Sequence, residues 1–581
     1  MSGSLPRRSV ALVVLAVVSG SIMQSSFDVS AGEYDRPGKM PHQSRSAVIA
    51  SHGIVATSQP LAAQVGLDVL KAGGNAIDAA IATDAMLGLV EPMSCGIGGD
   101  LFCIYWDNKT QKLYGLNASG RSPYAISREV FAKKGLKEIP TSGILSWSVP
   151  GCVDGWDQLN KKFGTMPLSK LLAPAIQYSE EGFPVTQVIA HFWKRGERLA
   201  SLYPDTGATY YPNGHAPVEG EMFRNPNLAV SLRAIAEHGR DAFYRGLIAE
   251  QIVAYSKAHG GYFDMKDFED TASTWVDPVS TSYRGYDVWE LPPNGQGIAV
   301  LQILNILEGY DIRSMGRNSP DYWHLFIEAK KLAYADRAKY FADPDFAKLP
   351  VAQLISKEYA AIQRKRINLT HAASSVDPGD PLLAKGSDTI YLCVVDKDRN
   401  CCSLIQSNFN GFGSRLVPGK VGFVIQNRGC QFSLDPKHLN TLEPHKRPFH
   451  TIIPAMVTKD GKPWYTFGVM GGDMQPQGHT QVLVNMIDFG LDVQAAGDAG
   501  RMRHDGSQTP TSQPMEPGGG EVNVESSIPP ATLDELAKRG HHIVHKPDSG
   551  FGGYQGIWID QKHGTIHGGT EPRTDGAAVG Y

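Results

Sequence analysis

At 581 residues, with 42% hydrophobic and 20% charged content, the chain has the make-up of a soluble enzyme with a large core. A formal net charge of -4 leaves no basic footprint and excludes nucleic acid as the expected partner. Seven cysteines, an odd number without Cys-x-x-Cys spacing, argue against a zinc ribbon and against a disulfide framework.

In chain order, the N-terminus reads first as an export signal. Arg7 and Arg8 precede an apolar run from Val10 to Val18 that is too short to span a bilayer, and Val29-Ser30-Ala31 offers small residues for cleavage. Residues 1–31 are therefore expected to be a signal peptide and the mature protein to be periplasmic or secreted, a retained amphipathic anchor being the alternative. No other stretch is long and apolar enough for a membrane helix, so no stable insertion is expected. Ser58 is placed to cap a helix from Gln59 to about Lys71, stopped by Gly73-Gly74, and an Ala-rich helix follows from about Ala76 to Leu89. Pro320 to Ala342 predicts a long amphipathic helix. Residues 368–388, NLTHAASSVDPGDPLLAKGSD, have the composition of a surface loop that runs straight into a strand at Thr389. The alternating segment Tyr391 to Asp396, a turn at Lys397 to Asn400 and a second strand from Cys401 to Ser407 predict a hairpin, on which Cys401 and Cys402 point to opposite faces. Asp460-Gly461 marks another turn, and Gly471-Gly472 lies between a strand, Trp464 to Val469, and a helix opening near Gln475. His542 and His545 have a spacing that suits a metal, but GHHIVHK alternates as a solvated strand does, so no metal site is expected. The chain has no G-x-S-x-G elbow, P-loop or H-E-x-x-H, and no internal repeat is evident.

The junction at Thr389 carries the chemistry. Its Oγ can add to the carbonyl of Asp388, and the resulting N-to-O shift gives an ester that water hydrolyses, freeing the Thr389 α-amine. An amine of that kind has an ordinary pKa of roughly 7.7 to 8.0, so it can take the hydroxyl proton near neutral pH without a separate histidine. Acyl transfer also needs donors aimed at the developing oxyanion, and a glycine pair ahead of a helix N-terminus lets backbone N–H groups approach it.

Seven motifs bear on what kind of enzyme this is: GGNAIDAAIA (73–82), EPMSCGIGGDLF (91–102), SVPGCVDG (148–155), LPPNGQG (291–297), EAKKLAYADRAKYFADPDF (328–346), the Thr389 hairpin and GVMGGDMQPQGHTQ (468–481). In this order they resemble the γ-glutamyltransferase family of N-terminal-nucleophile hydrolases, along almost the whole chain after about position 45. The resemblance implies an α+β fold, a four-layer αββα sandwich built from two fragments of one precursor. Those are a large fragment, 32–388, and a small one, 389–581, which remain associated. It implies a cofactor-free enzyme that cleaves a γ-glutamyl-type amide through an acyl-Thr389 intermediate and passes the acyl group to water or an amine. Motif matching places Gly471 and Gly472 at the oxyanion hole and Ser407 where a hydroxyl bonds the nucleophile. It places Arg121, in LNASGRSP, on the substrate carboxylate, where a guanidinium fork suits the task.

The chain departs from that pattern around the expected acyl pocket. His450-Thr451 stands where the family commonly has two serines on the carboxylate. Phe409, Arg428 and Gln431 stand where the family holds the substrate ammonium with asparagine, glutamine and aspartate, so a negative charge has gone and a positive one has come. An ammonium about 4 Å from a cation costs up to roughly 4 kcal/mol at an effective dielectric near 20. QNRGCQFSLDP and GGDMQPQGH look more like the branch containing oxamate amidohydrolase and dicarboxyl-amide acylases. An amidohydrolase for an amine-free dicarboxylic monoamide is thus the alternative, with Arg121 and Arg428 both facing a carboxylate. A binding protein that has lost catalysis is the third, opposed by the retained Thr389, Ser407 and Gly471-Gly472.

Overall fold

The structure, a computed structural model, describes residues 43–379, 390–546 and 550–581 together with positions 1 and 3. Asp388, Thr389 and all but two residues of the expected signal peptide lie outside the described residues.

Alternation along single strands dictates the layering. In the strand Ile390–Val395, Tyr391, Cys393 and Val395 join one apolar cluster, while Leu392 and Val394 join another on the opposite face. Its hairpin partner Cys401–Ser407 does the same, with Cys401 in the first cluster and Cys402 in the second, as the period of two requires. Both faces of this sheet are therefore covered. The sheet has seven strands in the order Ala577–Gly580, Ile54–Thr57, Ile390–Val395, Cys401–Ser407, Asp100–Asp107, Lys112–Ala118 and Thr274–Val276. A second seven-stranded sheet runs Val48–Ala50, Thr565–Thr570, Gly553–Asp560, Lys462–Met470, Ala455–Lys459, Tyr286–Glu290 and Val279–Tyr283. All neighbours in both sheets are antiparallel.

Between the sheets, Phe102, Ile104, Tyr391, Ile405, Met456 and Ile557 interdigitate. Outside the first sheet pack the helices Pro60–Lys71, Ala76–Val90 and Cys152–Phe163, and outside the second pack Ile298–Leu307, Pro320–Tyr340 and Met474–Ile487. The result is a four-layer αββα sandwich, in which each buried Leu, Ile, Val or Phe contributes roughly 1.5–3 kcal/mol of transfer free energy. Both sheets combine strands that precede position 389 with strands that follow it.

The helices next to the site follow local rules, with two departures from expectation. Ala76–Val90 opens on a capping box, Asn75 accepting from the N–H groups of Ile77 and Asp78 while Asp78 accepts from that of Asn75. The helix before it starts at Pro60, and its cap is the side chain of Gln59, which accepts the Ala62 N–H. Ser58 does not cap it, because its hydroxyl donates instead to the buried Glu91 carboxylate at 2.5 Å. The long helix spans Pro320–Tyr340 but is not amphipathic: every residue from Tyr322 to Ala338 is buried. Its polar positions imitate a solvent face, yet Glu328, Lys330, Lys331, Asp336 and Arg337 are interior groups with partners inside the protein.

Candidate active site

The hairpin fixes one edge of the site. Ile390 pairs with Gln406, and Ser407 ends the neighbouring strand opposite Asp100. Ser407 is fully buried and its Oγ accepts the N–H of Phe409 at 2.8 Å, which holds Phe409 at a φ of +82° in the left-handed region.

The second sheet supplies the opposite edge. Strand Lys462–Met470 gives way to Gly471 and Gly472, with φ of +127° and +60°, before the helix Met474–Ile487. A Cβ on Gly471 would sit 3.0 Å from the Cα of Gly552, so both conformation and space demand glycine there. The carbonyls of Gly471 and Gly472 accept from the N–H groups of Met474 and Gln475, while among the described residues no acceptor takes the N–H of either glycine. Two such N–H groups ahead of a helix N-terminus form a concavity for an anion. Gln296 sets its position, donating to the carbonyls of Thr451 at 2.7 Å and Gly472 at 2.9 Å. Gln296 is in turn held by the buried guanidinium of Arg337, which also pairs with Asp473 at 2.9 Å.

Beside this lies a buried polar group of unusual charge. Arg428 is fully buried, donates to Thr451 Oγ1 at 2.6 Å and lies over the ring of Phe409 at 4.5 Å. Gln431 closes the same short helical turn, Arg428–Gln431, and its Oε1 has no described hydrogen-bond partner. His450 donates from Nε2 to Asp100 at 2.7 Å, both groups being wholly buried. Burial first, and then the charge of Arg428, push the His450 pKa down to about 4 against the opposing pull of Asp100, so the imidazole is neutral and its Nδ1 is a buried lone pair without a described partner. Asp100 also accepts from the N–H groups of Gly120 and Gly151 and from Gln426, all on Oδ1, while Oδ2 takes His450.

The structure thus brings Phe409, Arg428, Gln431, His450 and Thr451 together, but not Arg121. The Arg121 guanidinium is clasped by Asp343 at 3.2 Å and Asp345 at 2.6 Å, and no hydrogen bond joins it to Arg428, His450 or Thr451. Two carboxylates thus already balance its charge. Asp100, Gln296 and Arg337 were without assigned roles in the sequence, although each stands inside a quoted motif. A cleft of about 650 Å³ opens beside Phe409, Met470 and Gly471, with Phe192, Leu199 and Phe412 on its apolar wall and Arg195, Arg198 and Arg415 among its polar residues. Glu91 also lines it, with a pKa pushed up to about 7 by burial.

Comparison with known proteins decides the family. The gamma-glutamyltranspeptidase family model matches residues 62–581. The chain belongs to this family. It is 40% identical over 545 residues to the glutathione hydrolase-like YwrD proenzyme of Bacillus subtilis (strain 168), covering 92% of this chain and 99% of that one. It is 33% identical over 557 residues to the glutathione hydrolase proenzyme of Escherichia coli (strain K12), covering 92% and 93%. Among solved structures, cephalosporin acylase from Bacillus halodurans is similar at 45% identity with a TM-score of 0.86, covering 94% of this chain and 98% of that one. As a gamma-glutamyltranspeptidase-family member, the protein is an N-terminal-nucleophile amide hydrolase built from two fragments of one precursor. Among the described residues no helix is long and apolar enough to cross a membrane.

Proposed function

We propose that the protein cuts itself between Asp388 and Thr389 and then hydrolyses amides through an acyl-Thr389 ester, with an acyl pocket that favours a dicarboxylic acyl chain ending in a carboxylate and lacking an α-ammonium. In this reading the freed Thr389 amine takes the hydroxyl proton, Ser407 holds the nucleophile, and the N–H groups of Gly471 and Gly472 receive the oxyanion. The Thr389 ammonium returns the proton to the departing amine, and water or a second amine then releases the acyl group.

The observation that carries the acyl preference is the buried Arg428, seated on Phe409 and Thr451. A buried guanidinium attracts a carboxylate and repels an ammonium. Carboxylate recognition is accordingly assigned to Arg428 and Thr451 in place of Arg121. The similarity to a cephalosporin acylase supports an acyl group other than γ-glutamyl. A second reading, hydrolysis or transfer of a γ-glutamyl group, is favoured by the names of the two proenzyme relatives. Export through the N-terminal signal belongs to the same proposal.

A hydrolysis panel of glutaryl, oxamate and γ-glutamyl amides tests it. Half of the roughly 4 kcal/mol repulsion estimated for an ammonium near Arg428 corresponds to about thirtyfold, so the best amine-free amide should exceed the γ-glutamyl amide in kcat/KM by at least that order. Arg428→Gln with Gln431→Asp should reverse the order. A wild-type preference for the γ-glutamyl amide sinks the acyl assignment while leaving the self-cleaving hydrolase standing.

A further inference from the structure

Three side chains far from the cleft converge without serving the reaction. His324 and Glu328 are one turn apart on Pro320–Tyr340 and share a face. His541 reaches them from the turn after helix Pro530–Lys538, where Gly540 takes a φ of +94°. All three are buried, and one ligand atom from each lies within 4.8 Å of the others. The flanking His542 and His545, whose spacing drew attention in the sequence, are exposed and take no part.

We infer that His324, Glu328 and His541 form a binding site for one divalent transition metal, of which zinc best suits two imidazoles and a carboxylate, with water as fourth ligand. The surroundings have the arrangement that metal-ligating histidines use. His324 Nε2 faces the Asn368 carbonyl at 2.7 Å and so carries the hydrogen, which leaves Nδ1 a bare lone pair pointing at His541 Nε2, 2.8 Å away. Glu328 is oriented from the other side, accepting from Lys331 at 2.8 Å and from the Ala373 N–H at 3.2 Å. Coordination requires His541 to move its proton from Nε2 to Nδ1, with no net release. It also requires the two ring nitrogens to open from 2.8 Å to roughly 3.3 Å, the span set by Zn–N bonds of about 2.0–2.1 Å at a tetrahedral angle. That half-ångström is within the reach of a side-chain adjustment.

The ligands come from both sides of position 389, so on the proposed cut the metal would bridge the two fragments. Its role is structural: His324 and the site residue Arg337 are 13 positions apart on one helix, roughly 20 Å.

The test uses the full processed protein, stripped with EDTA and dialysed against zinc, with metal content read by mass spectrometry. About one zinc per chain is expected, with His541→Ala or Glu328→Gln lowering affinity about tenfold or more and the exposed pair His542→Ala/His545→Ala leaving it unchanged. Because the buried variants can fail to fold, cobalt-loaded wild type gives an independent reading: the intense visible bands of a four-coordinate site. Zinc should raise Tm and leave kcat/KM unchanged. Substoichiometric uptake, uptake indifferent to His541→Ala, or the weak spectrum of six-coordinate aqua cobalt each overturns the proposal, and none of these outcomes bears on the acyl preference.

Discussion

At the scale of single residues, charge and not size distinguishes the acyl pocket. A neutral His450 beside a permanently charged Arg428 is stable only because burial and the guanidinium both disfavour the imidazolium. Its folded pKa of about 4 lies below the ordinary 6.5, so between these pH values the unfolded chain takes up a proton that the folded one refuses. Stability should therefore be unaffected by this group above pH 6.5 and fall by about 3 kcal/mol as pH drops to 4. Urea melts of wild type and His450→Gln across that window check this. The variant should lose that part of the slope, and equal slopes would exclude the assignment. The sequence singled out Phe409, Arg428 and Gln431 as one set and His450-Thr451 as another, because each replaces a known set at matching positions; that the two sets meet is visible only in the fold. It did not reveal that Arg121 is paired with Asp343 and Asp345, which lie more than two hundred positions away, because no local pattern announces an ion pair of that range.

Secondary-structure elements explain how the Gly471-Gly472 loop, the proposed oxyanion hole, is held. Met474–Ile487 begins where Gly471 and Gly472 end, but the loop's carbonyl side is fixed from outside, by Gln296 ahead of helix Ile298–Leu307 and by Arg337 on Pro320–Tyr340. Gln296→Ala removes two hydrogen bonds and leaves Arg337 short of an acceptor, each worth about 0.5–1.5 kcal/mol. A fall in kcat of roughly ten- to a hundredfold with little change in KM is expected, since the loop, not the pocket, is loosened. A selective rise in KM, read from initial rates on the best amide of the panel, would place Gln296 in the pocket instead. The elements themselves were legible where local signals are strong: the two N-terminal helices, the hairpin and the Asp460-Gly461 turn. The error at Pro320–Tyr340 has a definite cause, because Lys330 and Arg337 look like a solvent face to any local reading while their partners His504 and Gln296 are distant in sequence.

For the whole molecule, the αββα layering came from resemblance; composition and length indicated a large core without specifying its layers. One prediction belongs to this scale. Wild-type protein should run as two fragments with the smaller beginning Thr-Ile-Tyr-Leu, and Thr389→Ala should remain one inactive chain. An active uncut chain would move the nucleophile elsewhere.

The mixing of early and late strands in both sheets has a further consequence. Neither half could complete a sheet alone: the strand Ile390–Val395 would lose Ile54–Thr57 from one side, and Tyr286–Glu290 would lose Ala455–Lys459. Genes for 32–388 and 389–581 expressed separately would each yield bare sheet edges and exposed apolar faces, a recipe for aggregation rather than assembly. On the proposed self-cleavage, the backbone would be intact while it folds and severed only afterwards. Since the proposed cut would itself create the catalytic amine, a misfolded copy would never be armed, and every active molecule would certify that its own fold was reached.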